Sequence, residues 1–216
     1  MRTTHRRALA LLEVAAAAAV IVLDLLVPTL VVLAVAAVSL GVRRERPRSI
    51  GFTRLASPVR TAGVVLALTA GWSVLQFGLV MPVLNRVTDS RQDMTVFADL
   101  QHNVPLLAGL LVASWTLAAL GEETVFRAYL PTRLSEAFGT ARLGLVLSVL
   151  VPALLFALIH SEQGRVGMVV TFLDALYFSW LRHRFGSAWA SVLGHGFVNT
   201  LGVLTFFVVG PVYGLW

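Results

Sequence analysis

The chain of 216 residues contains no cysteine, and all 17 of its basic residues other than histidine are arginine. The absence of cysteine excludes disulfide bonds, thiolate metal ligands and cysteine nucleophiles. The absence of lysine excludes chemistry that proceeds through a lysine Schiff base. Charged residues make up only 13% of the chain, whereas soluble proteins usually contain about 25%. The composition therefore argues against an ordinary soluble domain.

Apolar residues are correspondingly abundant in the sequence. They account for 57% of the chain, the mean hydropathy is +0.83, and they fall in runs long enough to cross a membrane. We therefore predict an all-α fold, a polytopic transmembrane bundle of about seven to eight helices. The net charge of +6 does not indicate a nucleic-acid partner, because the arginines lie between the apolar runs and are better explained by membrane topology.

The first apolar run covers residues 8–42 and is too long for one span. As a single helix it would measure roughly 52 Å, against about 30 Å for the hydrocarbon core, so we predict that it folds back at Asp24 to Pro28. A signal peptide over residues 1–27 is the alternative, since arginines precede an alanine-rich stretch. We favour a helix that stays in the mature protein, because the sequence shows no convincing cleavage site that is followed by a hydrophilic domain.

Further spans are predicted from the remaining apolar runs, which gives about seven in all. The less apolar stretch 122–137 carries Pro131 and is expected to continue the preceding helix with a kink, or to bend into the membrane interface. The five tryptophans lie near several proposed span ends and are interpreted as interfacial anchors. The further spans are 61–82, 104–121, 142–160, 166–181 and 187–209.

The arginines also predict the orientation of the protein. With a cytoplasmic N-terminus, 14 of the 17 arginines lie in inner segments, while the long outer loop 83–103 holds three aspartates. This distribution follows the positive-inside rule. It predicts a multi-pass protein of the bacterial cell membrane with its N-terminus in the cytoplasm.

Ionisable side chains inside spans cost at least a few kcal/mol in lipid and are therefore candidates for function. Glu13 and Asp24 are interpreted as markers of span edges. Asp174 lies in the middle of a span. We expect that it either pairs with a nearby arginine or is itself a protonated, buried acid. The remaining candidates are Glu122, Glu123, Arg127, His160 and His195, together with the amide of Asn199.

The spacing of these residues places them on helix faces. Glu123 and Arg127 are four residues apart and are expected to pair, whereas Glu122 is rotated by about 100° and can point into the bundle. Phe156 and His160 share the same four-residue spacing, as do His195 and Asn199 on a later, otherwise apolar helix.

The candidates are also expected to converge. Glu122 lies 18 residues before Thr140, which with Gly139 marks a turn, and His160 lies 20 residues after it. If both arms are helical, the two side chains lie roughly 27 and 30 Å from the turn and so at similar depth. We therefore predict one polar cavity that contains a carboxylate and two imidazoles, with His195 as the second imidazole.

Such a cluster has the parts needed to hydrolyse an amide without a serine or cysteine nucleophile. A carboxylate and an imidazole can activate water, and a second histidine with an asparagine amide can donate hydrogen bonds to an oxyanion. The same donors suit Zn²⁺ with an open water position, and Glu122, His160 and His195 are then its candidate ligands. The sequence has no His-Glu-x-x-His, so the common zinc-protease helix is absent.

The three motifs together resemble the CPBP (CAAX protease and bacteriocin-processing, or ABI) family. The stretch from Glu122 to Arg127 looks like its Glu-Glu-x-x-x-Arg motif, Phe156 to His160 like its Phe-x-x-x-His motif, and His195 to Asn199 like its His-x-x-x-Asn motif. By chance, all three would occur in this order in about 4 of 100,000 sequences of this composition. Ala128 stands where the family often has glycine.

This resemblance implies a multi-helix intramembrane endopeptidase related to type II CAAX prenyl endopeptidases, with residues 104–208 as its catalytic bundle. Glu122 and His160 would activate the attacking water. His195 and Asn199 would stabilise the oxyanion, with His195 as a metal ligand in the alternative. Residues 1–103 would be variable N-terminal helices and a basic cytoplasmic loop, and 209–216 a C-terminal tail.

In the same resemblance, Glu123, Arg127 and Phe156 would support the catalytic residues rather than react. The substrate would be a membrane-associated protein or peptide, of which prenylated CAAX proteins are the family's best-known example.

Two other functions are compatible with the sequence. The first is a non-catalytic membrane protein for bacteriocin immunity or scaffolding, in which the polar cluster serves binding. The second is a transporter or proton relay that uses Asp174, Glu122 and His160. The latter requires a polar path across the whole bundle, and the outer halves of the predicted spans show no matching polar residues.

Overall fold

The structure is a computed structural model that describes residues 3–211. Residues 212–216, which make up most of the predicted C-terminal tail and include Trp216, lie outside the described residues, as does Arg2. Within 3–211 the chain forms helices and no strand, which confirms the predicted all-α bundle.

Counting continuous helical stretches as single helices, the described residues form seven long helices joined by short connections. Three connections contain 3₁₀ turns, at Pro47–Ile50, Thr95–Leu100 and Ser161–Gln163. The long helices are α1 (Thr3–Val22), α2 (Pro28–Arg43), α3 (Pro58–Thr88), α4 (Val104–Phe138), α5 (Arg142–Leu158), α6 (Gly164–Phe185) and α7 (Ala188–Val209).

The helix ends follow local sequence signals. Pro28 and Pro58 open α2 and α3, where a missing backbone N–H costs nothing and the fixed φ favours a helix. The predicted fold-back is confirmed, because α1 ends at Val22 and α2 begins at Pro28. The predicted turn between α4 and α5 is also present, at Gly139, whose φ of 82° suits a residue without a Cβ.

Two helices contain π-helical turns. In α3 they cover Gln76–Val80, and in α4 they cover Ser114–Glu122 and Thr124–Tyr129. The prediction that 122–137 continues the preceding helix is confirmed, since α4 runs without a break to Phe138. Turns of this kind are rare and often occur at functional sites. The two π-helical turns of α4 include every residue of the motif from Glu122 to Arg127 except Glu123, which lies between them.

When helices are judged by length and apolar composition, the structure contains fewer candidate membrane spans than the sequence predicts. Among residues 3–211, only α3, α4 and α7 are long and apolar enough to cross a membrane alone. Helices α5 and α6 pass this test only as a pair bent by 63°, which is a broken span or a re-entrant loop. The separate spans predicted at 142–160 and 166–181 are therefore not supported, because a bend interrupts the apolar run after Leu158.

The second half of α4 lies at the centre of the bundle and packs against α1 and α5, while α7 packs against α3, α4 and α6. Val125, Phe126 and Tyr129 of α4 are fully buried and form a core with Phe156 of α5. The motif-bearing part of α4 is therefore enclosed by other helices on most sides.

Glu13 does not mark a span edge, in contrast to the prediction. It lies in the middle of α1 and accepts hydrogen bonds from Ser39 at 2.8 Å and from Arg43 at 3.0 and 3.1 Å. Arg133 of α4 approaches the same carboxylate to 2.9 Å. This network joins α1, α2 and α4. Asp24, by contrast, lies in the turn between α1 and α2 as expected.

Candidate active site

The structure places the four predicted catalytic side chains at one cavity of about 450 Å³. Glu122 comes from α4, His160 from the connection after α5, and His195 and Asn199 from α7. Apolar residues of α2, α3, α4, α6 and α7 form most of the remaining wall. The predicted residues therefore share one space, while the role of each stays a prediction.

His195 lies between two consecutive carboxylates of α4. Its Nδ1 is 2.9 Å from Oε1 of Glu123, and its Nε2 is 3.9 Å from Oε2 of Glu122. An ionised carboxylate can only accept, so Nδ1 carries a proton and donates it to Glu123. The imidazole ring is 4% exposed and is thus oriented by Glu123, with Nε2 on the side of Glu122. The contact between Glu123 and His195 is not predicted by the sequence, because 72 positions separate the two residues.

Glu123 and Arg127 form the ion pair that their spacing predicts. Oε1 of Glu123 is 3.1 Å from Nη1 of Arg127, and the two side chains are 0% and 1% exposed. The guanidinium also lies over the rings of Phe156 and Phe178, at 4.2 and 5.2 Å from their centroids. Since neither Nη atom makes an aligned hydrogen bond, the charge is stabilised mainly by the carboxylate and by the two aromatic faces.

Glu122 has a different environment from its neighbour. Its Oε2 is buried and has no hydrogen-bond partner among the described residues, although the side chain lines the cavity. A buried carboxylate oxygen without a donor is costly unless a ligand or water satisfies it. Glu122 is therefore available to a molecule in the cavity, whereas Glu123 is engaged by His195 and Arg127.

His160 follows the end of α5, and its ring turns back onto the helix. Its Nδ1 is 2.8 Å from the carbonyl oxygen of Phe156. A carbonyl only accepts, so the proton lies on Nδ1 and the lone pair on Nε2. The Phe156 ring lies 4.6 Å from His160 and 5.8 Å from His195, so this phenylalanine packs against both imidazoles.

Sequence reasoning did not identify Phe178 of α6 or Trp115 of α4. Phe178 stacks on His195 at 4.8 Å with the planes 12° apart. Trp115 packs edge-on against Phe197 and donates a hydrogen bond to Thr200 on α7. In the sequence, Phe178 is one apolar residue among many and carries no distinguishing signal.

Asp174 lies in the middle of α6, as predicted, and is buried. Its Oδ1 accepts hydrogen bonds from Nε1 of Trp72 and Nε2 of Gln76, both at 2.7 Å. Within residues 3–211 it forms no ion pair with an arginine, so the expected arginine partner is not found. Trp72 and Trp115 each donate a hydrogen bond to another helix, while Trp180 and Trp189 are 46% and 41% exposed, and their role as interfacial anchors stays a prediction.

The zinc ligands that the sequence suggests are not gathered into one ligand group in this arrangement. Among the described residues, no group of three or more histidine, aspartate and glutamate side chains lies close enough to hold one metal ion. Both imidazoles use Nδ1 for a hydrogen bond to an oxygen acceptor, so Nε2 is the nitrogen that each would offer to a metal ion. The proposed ligand set of Glu122, His160 and His195 therefore stays a prediction.

Buried carboxylates and imidazoles around a cavity, inside a helix bundle with apolar spans, define a candidate membrane hydrolase. Residues 104–201 match the family model described as type II CAAX prenyl endopeptidase Rce1-like. The match confirms the predicted CPBP resemblance over this segment, and the Rce1-like family indicates a protease. Neither the curated proteins nor the solved structures give a match to the chain.

Proposed function

We propose that this protein is an intramembrane endopeptidase that hydrolyses a peptide bond of a membrane-associated protein. The observation that supports this most directly is the position of Glu122, which has an unpartnered buried oxygen in the cavity that also contains His160, His195 and Asn199. A prenylated CAAX protein is the substrate that the family suggests. A bacterial membrane and a cytoplasmic N-terminus, supported by the distribution of arginines, belong to the same proposal.

In the first step, a water molecule held by Glu122 and His160 attacks the carbonyl carbon of the substrate. Glu122 takes a proton from this water, because its Oε2 has no competing donor. His160 assists through Nε2, the nitrogen left with a lone pair by the hydrogen bond between Nδ1 and Phe156. A carboxylate and an imidazole in these roles typically contribute about 10²–10⁴-fold in rate.

The attack places a negative charge on the carbonyl oxygen, and donors on α7 stabilise it. Asn199 donates through its amide, and His195 donates from Nε2 when both of its nitrogens carry protons. The two nitrogens of this ring are flanked by Glu122 and Glu123 of α4. When the C–N bond breaks, the proton held by Glu122 passes to the leaving nitrogen, which completes the hydrolysis.

The test uses purified protein in lipid nanodiscs with two kinds of peptide: a farnesylated CAAX peptide and unprenylated peptides with an apolar segment. We expect cleavage by the wild type, detected by mass spectrometry, and a loss of at least about 100-fold in Glu122→Gln and in His160→Ala. The matched control is Glu162→Gln, which neutralises an exposed glutamate. Wild-type cleavage by the Glu122 variant would refute the proposal, and partner binding without any cleavage would favour a non-catalytic protein.

A further inference from the structure

The cavity has a second polar region that the proposed hydrolysis does not use. Asp174 of α6 and Gln76 of α3 line the same cavity as the catalytic candidates. Asp174 is 7% exposed, so its carboxylate is largely removed from bulk water. A buried carboxylate in an apolar surrounding is unfavourable unless a partner stabilises its charge.

The protein holds this carboxylate in a fixed position. Both of its hydrogen bonds, from Trp72 and Gln76, reach the same oxygen, Oδ1. Trp72 is itself fixed by stacking on Tyr177 at 5.0 Å, and Tyr177 shares a hydrogen bond of 3.0 Å with Thr69. The contacts within residues 3–211 therefore leave Oδ2 of Asp174 without a donor, on a residue that faces the cavity.

Among the described residues, no arginine forms an ion pair with Asp174, and Arg127 and His195 act on its carboxylate only at longer range. The chain has no lysine, and none of the described residues that line the cavity is an arginine. Arg127 pairs with Glu123 instead, and the imidazole of His195 is held between Glu122 and Glu123. A positively charged group on a bound molecule would supply the missing partner, and charge-assisted hydrogen bonds of this kind are among the stronger ones in proteins.

The position of Asp174 relates this region to the hydrolytic site. Phe178, which stacks on His195, lies four residues further along α6, so Asp174 is about 6 Å from it along the helix axis. An extended peptide advances about 3.3 Å per residue. A side chain that reaches Asp174 therefore belongs to a residue within about two or three positions of the cleaved bond.

We propose that Asp174 forms a specificity subsite for a basic side chain, arginine or lysine, close to the cleaved bond of the substrate. This inference rests on the proposed peptidase activity and adds a substrate class to it. The same lining offers no arginine or lysine to a free C-terminal carboxylate, so a negatively charged group at this position is disfavoured by Asp174 and Glu122.

The experiment uses quenched-fluorescence peptides of one apolar sequence. Each peptide carries one substituted residue, which is arginine, norleucine or glutamate. The substituted position is scanned over the three residues on either side of the cleaved bond. We expect kcat/KM of the wild type for the best arginine peptide to exceed that for its norleucine counterpart by about tenfold or more, and the glutamate peptide to be poorest. In Asp174→Asn, which keeps the acceptor oxygen but removes the charge, the arginine preference is lost. Glu162→Gln is the matched control and keeps the preference.

A binding measurement separates this inference from the proposed function. Copies of the peptides with a non-hydrolysable reduced amide are titrated by fluorescence anisotropy, so no cleavage is required. Tighter binding of the arginine peptide by the wild type, lost in Asp174→Asn, supports the subsite even if nothing is cleaved. Equal binding of the arginine and norleucine peptides by the wild type, or no binding of either, overturns it whatever the peptidase result. The wild-type comparison holds even if the variant fails to fold.

Discussion

His195 donates a hydrogen bond of 2.9 Å from Nδ1 to Oε1 of Glu123, across 72 positions of sequence. The contact joins the third motif to the first and fixes which nitrogen of the imidazole faces the cavity. Because Glu123 is also 3.1 Å from Arg127, its ionised state is stabilised by a buried guanidinium. Glu123 therefore acts as a positioning residue for His195, and Glu122 is left free for water.

This arrangement predicts the kinetic effect of Glu123→Gln. The amide can still accept from His195 but no longer carries the charge that stabilises the imidazolium, so we expect kcat to fall by about 10- to 100-fold with little change in KM. Steady-state kinetics on the best peptide substrate measure this split, and thermal unfolding confirms that the variant is folded. A rise in KM with an unchanged kcat would show that Glu123 acts on substrate binding instead.

The buried ion pair predicts a strong and non-additive effect on stability. Arg127→Met removes the guanidinium from Glu123, which is 0% exposed and keeps only the hydrogen bond from His195, and we expect this to cost about 3–5 kcal/mol. The double variant Glu123→Leu with Arg127→Met removes both charges and should cost clearly less than the sum of the two single variants. Unfolding in mixed detergent measures all three, and additive losses would argue against direct coupling.

Gly196, next to His195, is predicted to tolerate no larger side chain. A Cβ at this position would lie 2.5 to 2.6 Å from ring atoms of Trp115, so alanine requires the indole ring or one of the two helices to move. We expect Gly196→Ala to lose about 1–3 kcal/mol of stability and to lower kcat by displacing His195. The control is Gly109→Ala on α4, where nothing lies within 4 Å and alanine should be neutral or stabilising by up to about 1 kcal/mol.

The Glu13 network predicts that α1 depends on its single internal carboxylate. Glu13→Gln would leave Arg43 and Arg133 with weaker partners at a site where both guanidiniums are largely buried, at an expected cost of about 1–3 kcal/mol. A fall in the unfolding temperature, compared with the exposed control Glu162→Gln, measures this. Equal unfolding temperatures would mean that the remaining glutamates of the network replace Glu13.

The donor arrangement predicts that peptidase activity survives metal removal. Among the described residues, no group of three carboxylate or imidazole side chains is arranged to hold one metal ion, and the proposed steps need only Glu122 and His160 to activate water. We expect activity to persist after dialysis against 1,10-phenanthroline and EDTA. Loss of activity that is restored by Zn²⁺ would instead show that Glu122, His160 and His195 bind a metal together.

The sequence alone determined the all-α class, the fold-back of the first apolar run and the family resemblance, because these depend on composition, on helix length against membrane thickness and on local spacing. It also paired Glu123 with Arg127, since four residues on a helix bring two side chains together. The separate spans that it predicted at 142–160 and 166–181 are not supported, because hydropathy does not reveal the 63° bend between α5 and α6.

Only the tertiary structure decided which distant groups meet. Three contacts join residues from different helices. His195 lies between Glu122 and Glu123, and Phe178 stacks on its imidazole. Asp174 accepts hydrogen bonds from Trp72 and Gln76. Such contacts depend on how each helix is rotated and packed against its neighbours, and local periodicity does not specify this. The motifs thus identified which residues to examine, and helix packing decided their partners.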